Sequence, residues 1–557
     1  MDTRLVDAQT FVYMIRSGAD ELNQHAQEVN DLNVFPIPDG DTGDNMTMTI
    51  SGGATAHCSL EDGIGKTSMD LANAMLLSAR GNSGVILSQF FAGIADGLTG
   101  LTEASVDDFK NACRQGVNRA YSAVVTPTEG TILTVAKEAT EYACTKECKN
   151  VEEFLCFFLE EAYRSLARTP ELLNVLKEAG VVDSGAAGLV YIVEGMYQSL
   201  TGKKAVDTFS IENRAAAPSM VNVDMFTSDM QLEFGYCTEL LIRLQNSKTD
   251  VDNFDVSVII DYLTQIGGDS IVCFKTDSIV KLHVHTMTPD KVLAFCQQFG
   301  EFLTLKIENM MIQHNEAGNE RPESAAGSFE KKEEPKKRTK FGVVAVASGD
   351  GIVNSFRDFG AYVIKGGQTM NPSTADFVRA FDEVNAECIF VLPNNGNVIM
   401  AAKQAASIYE EANIRVIPTK TIGDGFSVLS MMSFDSADSE EIERQMLEAF
   451  EDVTTIEISK AIRNAISGEQ RIREGEYLAI CGKDILNTDE EAVSAAVGAM
   501  NQQDLSERYL VMVIRGVNGT EEGSKEIADA VRRKNSMVEV CEAYGGQDIY
   551  DYYLVLE

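Results

Sequence analysis

NVFPIPDGDTGDNM, residues 33–46, crowds Asp39, Asp41 and Asp44 into six positions. Gly40, Thr42 and Gly43 separate them, and two prolines precede them. The whole chain has a formal net charge of −38, so a further concentration of carboxylates needs a reason. One reading is an Asp-Gly turn with solvated side chains. The other is a cradle in which carboxylates hold divalent cations against phosphate. Carboxylates and phosphates repel each other and share a site when cations lie between them. Mg²⁺ takes a few carboxylates together with waters and phosphate oxygens. Asp39 and Asp41 lie two apart, so on an extended turn both side chains point toward one cation.

Outward from this stretch, three others repeat its design: ARGNSG (79–84), PTEGT (127–131) and VDSGAAG (182–188). Each sets glycine and small polar residues just ahead of a helical pattern. Helix N-termini carry unsatisfied N–H groups and the positive end of the dipole, so they attract anions. Glycine allows close backbone approach. Ser83, Thr131 and Ser184 add hydroxyl donors. Ordinary capping accounts for any one such loop. Four in one helical region, one of them dense in aspartate, favour a phosphate site. No G-x-x-x-x-G-K-[ST] sequence occurs, and no protein-kinase signature set occurs.

Residues 5–28, 67–78, 84–98, 106–125, 130–147, 151–167, 171–179 and 186–201 carry apolar positions at three- and four-residue spacing. No strand alternation interrupts them, so an all-α domain of eight helices is expected over 1–203. Residues 202–224 read as a connector. Beyond them, 232–244, 270–276, 279–286 and 302–308 read as strands, with helices at 252–265 and 289–299. The order β-α-β-β-α-β predicts an α+β ferredoxin-like domain over 225–312, with strand order 4-1-3-2.

Two of the five histidines form His283-Val-His285 in this domain. On a strand, positions i and i+2 share a face. Val280, Leu282 and Val284 take the other face. In the first strand, even positions read as buried, which leaves Cys237 and Glu239 on the open face beside the histidines. A cysteine and two histidines suit Zn²⁺, with Glu239 or water in a fourth position. The plainer reading is two surface histidines and an unrelated cysteine.

Residues 313–339 are charged and nearly free of large apolar side chains, which marks a linker. FGVVAVAS, ECIFVLP, RVIPT, YLAICG and YLVMVIRG then alternate with helical segments, as an α/β domain over 340–557 requires. PNNGNVI (393–399) sets Asn394 and Asn395 before a helix, and reads as a capped turn.

At 557 residues several cores are needed, and an apolar content of 44% can supply them. The acidity argues against nucleic acid and anionic membrane surfaces as partners. No secretory signal or bilayer-spanning apolar run is visible. Eleven scattered cysteines suit a reducing cytoplasm. Cys144 and Cys148 read as ordinary helix residues.

The loops PDGDTGDN, RGNSG, PTEGT and DSGAAG, in this order on a helical domain, resemble the DhaL domain of dihydroxyacetone kinases. LNVFPIPDGDTGDNM, EFGYCTE and KLHVHT together are similar to the FakA family, the ATP-binding subunits of bacterial fatty acid kinases. The resemblance runs through all three domains. It implies a DhaL-like helical barrel, the ferredoxin-like middle domain, and an α/β domain of the FakB/DegV kind. GGQTMNPSTADFVRAF (366–381) is similar to a loop-helix of that last fold.

The resemblance further implies ATP and two Mg²⁺ ions held by Asp39 and Asp41. Asn33 or Asp31 is the candidate third ligand, and Thr42 stands where DhaL loops often have histidine. Asn45, Met46, Gly81, Asn82, Ser83, Gly84, Thr131, Asp183, Ser184 and Gly185 would bind nucleotide. Cys237, His283 and His285 would hold zinc. The implied reaction is phosphorylation of a fatty acid carboxylate, presented by a separate FakB-type protein, to an acyl phosphate for lipid metabolism. A carboxylic acid is already ionised at neutral pH and needs no general base. A cytoplasmic homodimer joined through 225–312 is expected. The competing functions are a kinase for a small hydroxylated substrate such as dihydroxyacetone, and a non-enzymatic nucleotide-sensing scaffold.

Overall fold

A computed structural model describes residues 4–33, 40–58, 60–202, 236–309 with short gaps, and 338–557 apart from 368–369, 433, 435–437 and 468–469. Its described elements begin with β1 (Leu5–Asp7), α1 (Ala8–Gln24), α2 (Ala26–Asp31), α3 (Thr42–Ala54), α4 (Gly63–Ser78) and α5 (Gly81–Leu98). β2 (Glu103–Ser105), α6 (Val106–Ser122), α7 (Ile132–Thr145), α8 (Val151–Leu172), α9 (Asn174–Ala179) and α10 (Ser184–Thr201) complete the helical region.

The apolar spacing becomes a single helical core. Phe11, Met14, Ile15 and Leu22 of α1 meet Leu189, Ile192 and Met196 of α10, all buried. Four details depart from the sequence reading. Leu5–Asp7 pairs antiparallel with Glu103–Ser105, so α1 starts at Ala8, with Asp7 accepting the Thr10 N–H at 2.8 Å. α3 falls where the apolar spacing marked no helix, although PDGDTGDN reads as a loop just ahead of one. Its sequence, TGDNMTMTISGGA, is rich in poor helix formers. Tertiary contact holds it: a Cβ on Gly53 would come within 2.5 Å of the Met75 side chain, so α3 and α4 lie very close.

α8 runs through Pro170 instead of ending at 167. A proline there removes the N–H that would bond the Leu166 carbonyl. The Thr169 hydroxyl donates to that carbonyl instead, at 2.7 Å. Lastly, α7 ends at Thr145, so Cys148 lies beyond the helix and its Sγ faces the Lys146 carbonyl at 3.6 Å.

The middle region contains β3 (Tyr236–Leu244), α11 (Ser257–Gln265), β4 (Asp269–Thr276), β5 (Ile279–Thr286), α12 (Pro289–Cys296) and β6 (Gly300–Asn309). The sheet order is β4-β5-β3-β6 and every pairing is antiparallel. This is the expected 4-1-3-2 arrangement. Leu240, Ile242, Val280, Leu282 and Val284 are buried with Ile259 and Leu263 of α11 and Val292 of α12.

The C-terminal region opens with β7 (Thr339–Ala347), α13 (Asp350–Asp358), β8 (Tyr362–Lys365), α14 (Thr374–Val384), β9 (Ala386–Leu392), α15 (Ile399–Ile408) and β10 (Asn413–Val416). Four of its strands form a parallel sheet, β10-β9-β7-β8. Parallel sheets need cover on both faces. Val344, Val346, Ile389 and Val391 pack with Phe377 and Phe381 of α14, while Val343, Ala345, Phe390 and Leu392 pack on the other side.

The chain continues through α16 (Ile422–Met431), α17 (Ser439–Ala449), β11 (Thr454–Lys460), β12 (Ala465–Ser467), β13 (Gln470–Ile472), β14 (Tyr477–Cys481) and β15 (Asp484–Asp489). It then forms α18 (Ala492–Gln502), β16 (Leu510–Arg515), α19 (Glu521–Lys534), β17 (Glu539–Tyr544) and β18 (Tyr552–Leu556). Six of these strands build a second sheet, β15-β14-β11-β18-β16-β17, in which β16–β17 is the one parallel pair described.

Residues 1–211 and 334–557 form one compact unit, and 212–333 form a second. The helical and C-terminal regions, expected as separate domains, therefore share packing. Ala79 and Val85 lie in the same apolar cluster as Val344, Phe377 and Ala401.

Candidate nucleotide site at four helix N-termini

The N-termini of α3, α5, α7 and α10 come together. Gly81 opens α5 with φ +58°, and a Cβ there would lie 2.7 Å from Asn45 Nδ2 on α3. A Cβ on Gly185 of α10 would lie 3.4 Å from Ser83 Oγ, 3.4 Å from Asp183 Oδ2 and 3.5 Å from Ile132 Cβ. Loops far apart in sequence thus meet through glycines that leave no side chain in the way.

The four ends differ in how their N–H groups are used. Asn30 on α2 caps α3 from a distance, its Oδ1 accepting Gly43 N–H at 2.7 Å and Asp44 N–H at 3.3 Å. Asp41 occupies the N-cap position of α3 but makes no side-chain capping bond. Asp183 caps α10 by accepting Ala186 N–H at 2.8 Å. The N-cap residue of α5 makes no side-chain capping bond, whereas the Ile132 N–H at the start of α7 donates to the Asp183 carboxylate of α10. Thr131 donates its hydroxyl to the Thr128 carbonyl at 2.8 Å. Burial pushes the Asp183 carboxyl up to about 6, against hydrogen bonds from the Ala186 and Ile132 N–H groups.

Asp41 is 7% exposed, and its carboxylate accepts a hydrogen bond from Asn371 Nδ2 of the C-terminal region. Thr42 and Asn45 are buried beside it. Ser184 is the first residue of α10, and Gly84 packs against Thr49 of α3. Asn82 reaches Asn397 at 3.2 Å. Asn33 lies against Gly40, whose Cβ would be 3.5 Å from Asn33 Nδ2. Asp31 instead accepts from Gln27 at 2.9 Å on the α2 surface. Met46 is fully buried with its sulfur against Gly188, so it belongs to the helical core and presents no surface to a ligand. Asp39 lies outside the described residues.

A polyphosphate with divalent cations suits this donor set. The uncapped start of α5 and Ser83 can receive phosphate oxygens, and a buried carboxylate beside them can receive a cation. The distant roles of Asn30 and Asn371 had no local signal in the sequence.

In the middle sheet, Cys237 pairs in register with His285, and Glu239 with His283. The even positions of both strands are buried, so these four occupy the opposite register positions. Their side chains lie outside the described residues. Among the described residues no group of three His, Cys, Asp or Glu side chains forms a metal site. No described helix is long and apolar enough to cross a membrane.

Comparison with known families agrees with this architecture. A DAK2 domain profile matches residues 36–198. Profiles for the FakA-like middle and C-terminal domains of fatty acid kinases match 233–317 and 342–557. Protein YloV of Bacillus subtilis (strain 168) is 39% identical over 570 residues, covering 100% of both chains. An uncharacterized protein of Staphylococcus aureus (strain USA300) is 34% identical and covers 99% of each.

Among solved structures, dihydroxyacetone kinase from C. freundii, in complex with AMP-PNP and Mg²⁺, is 18% identical with a TM-score of 0.28. It covers 34% of this chain and 33% of that one. The Streptococcus pneumoniae fatty acid kinase B3 protein, loaded with linoleic acid, is 13% identical with a TM-score of 0.29. It covers 39% of this chain and 99% of that one.

The chain thus has a kinase-related helical domain of the DAK2 type, followed by a FakA-like middle domain and a FakA-like C-terminal α/β domain. The chain belongs to the FakA-like family of fatty acid kinase proteins.

Proposed function

We propose that the chain is the ATP-binding phosphotransferase component of a fatty acid kinase. It transfers the γ-phosphoryl group of ATP to a fatty acid carboxylate presented by a FakB-type binding protein. The convergence of four helix N-termini beside the buried Asp41 carries this reading.

The uncapped start of α5 receives phosphate oxygens, with Ser83 as a hydroxyl donor; the Thr131 hydroxyl joins it by turning away from the Thr128 carbonyl that it bonds in the free chain. Asp41 and Asp39, with Asn33 beside the loop, would hold Mg²⁺. Bound there, Mg²⁺ would neutralise charge on the phosphates. The carboxylate oxygen of the acyl chain attacks the γ-phosphorus. The bond from that phosphorus to the β,γ-bridging oxygen breaks, and ADP leaves with its electron pair. No proton has to be removed from the acceptor, which is ionised at neutral pH. A histidine base is therefore unnecessary at these loops.

The register of Cys237, Glu239, His283 and His285 supports a zinc site in the middle domain. Zinc at one equivalent in purified protein, lost in a C237A/H283A variant, is the expected result of elemental analysis. The exposed Leu303 and Leu305 on edge strand β6 support self-association through this domain. Light scattering should return twice the chain mass.

The deciding experiment incubates the chain with ATP, Mg²⁺ and a FakB-type protein loaded with fatty acid. Acyl phosphate is the expected product. Phosphorylation of dihydroxyacetone instead would replace this reading with a small-substrate kinase, and nucleotide binding without turnover would replace it with a scaffold.

A further inference from the structure

Asp41 is covered by the chain's own C-terminal region. Asn371, 2% exposed, donates to its carboxylate. The Asn371 carbonyl accepts from Arg80 Nη1 at 2.9 Å, and Arg80 faces Asp376 at 3.7 Å. Thr374 N–H donates to the Ala79 carbonyl at 3.1 Å. Gln404 donates to the Leu76 carbonyl at 2.7 Å and lies 2.8 Å from Gln89. Ala79 and Val85 supply the apolar centre.

Side-chain amides take part in several of these polar contacts, and two amides here are imperfectly matched. Asn371 Oδ1 and Asn82 Oδ1 are buried without a hydrogen-bond partner. Buried amide oxygens are ordinarily satisfied. Polar contacts of this sort resemble those of exchangeable interfaces more than those of a sealed core.

An acceptor oxygen must come within about 3–3.5 Å of the phosphorus it attacks. A protein that carries the acceptor therefore has to touch this chain beside Asp41. Asn371 and its helix already stand there. We propose that Ala79, Arg80, Asn82, Val85 and Gln89 form the docking surface for a carboxylate-presenting carrier protein, and that the C-terminal region occupies it in the free chain until the carrier displaces it. Arg80, which faces Asp376 in the free chain, becomes the cation opposite the incoming carboxylate. The inference rests on the phosphotransferase reading above.

The test compares the full-length chain with two variants, using a purified fatty-acid-binding carrier loaded with a long-chain fatty acid. Ala79→Cys with Thr374→Cys places two thiols on backbones already joined by a hydrogen bond, where a disulfide can lock the contact. Gln404→Ala loosens the contact at a residue outside the nucleotide loops.

Calorimetry should show the oxidised double-cysteine chain binding the carrier at least about tenfold more weakly than the same chain after reduction, because the competent fraction falls. Q404A should bind more tightly than the unaltered chain. Circular dichroism spectra of the oxidised and reduced forms should coincide. Equal carrier affinity in the oxidised and reduced chain, or weaker binding by Q404A, overturns the proposal even where acyl phosphate forms. Failure of the phosphotransferase reading looks different: no acyl phosphate forms in the reduced or unaltered chain.

Discussion

Asp41 and Asn30 divide a task that one residue usually performs. Asn30 satisfies the first N–H groups of α3, and this leaves the Asp41 carboxylate for other work. Asp41→Ala should therefore leave helix content nearly unchanged, because the cap is elsewhere, while melting falls modestly because the buried Asn371 amide loses its acceptor. Phosphoryl transfer should fall by about a thousandfold, the scale of losing a main charge-stabilising group. Circular dichroism and a coupled ADP assay check both halves.

Asp183 makes a different prediction. Its folded pKa of about 6 lies above the unfolded value of 3.8. The folded state thus binds more protons between these values, and stability falls as pH rises through that window. The loss should be on the order of 2 kcal/mol between pH 4 and 6.5. Asp183→Asn keeps a capping oxygen and should flatten the profile in urea titrations.

At the scale of elements, the helix starts are where sequence and structure agree best. Glycine with small polar residues announced the beginnings of α5, α7 and α10, because capping and close approach are local demands. Gly81 is the clearest case. Its φ of +58° and the nearness of Asn45 leave no room for a side chain. Gly81→Ala should cost about 1–2 kcal/mol in denaturant unfolding and weaken nucleotide binding.

The body of α3 was not legible, because its threonines, serine and glycines carry little periodic signal and its stability comes from α4 and α5; only the loop PDGDTGDN marked its start. Asn30, thirteen residues from the N–H it accepts, was equally silent. Asn30→Ala should lose about 1–2 kcal/mol, the upper range for a cap, since buried N–H groups are left unsatisfied.

At the scale of the whole molecule, the alternating short strands pointed to the α/β region. The six-stranded sheet was not legible, because its order joins strands remote in sequence. The link between Asn371 and Asp41 spans 330 positions, and no local pattern encodes it. The charge of −38 acts on the entire chain. Its self-repulsion is screened by salt, so the melting temperature should rise between 50 and 500 mM NaCl by about several degrees, measured calorimetrically.

β18 has a further consequence for how the protein is made. Tyr552–Leu556 lies between β11 and β16 and is wholly buried. Both neighbours emerge from the ribosome earlier and face each other across an empty slot. At a synthesis rate of about 5–20 residues per second, β11 waits several seconds for the strand that joins it to β16. During that interval two open edges and their apolar faces are exposed, and a nascent-chain chaperone would find its substrate there.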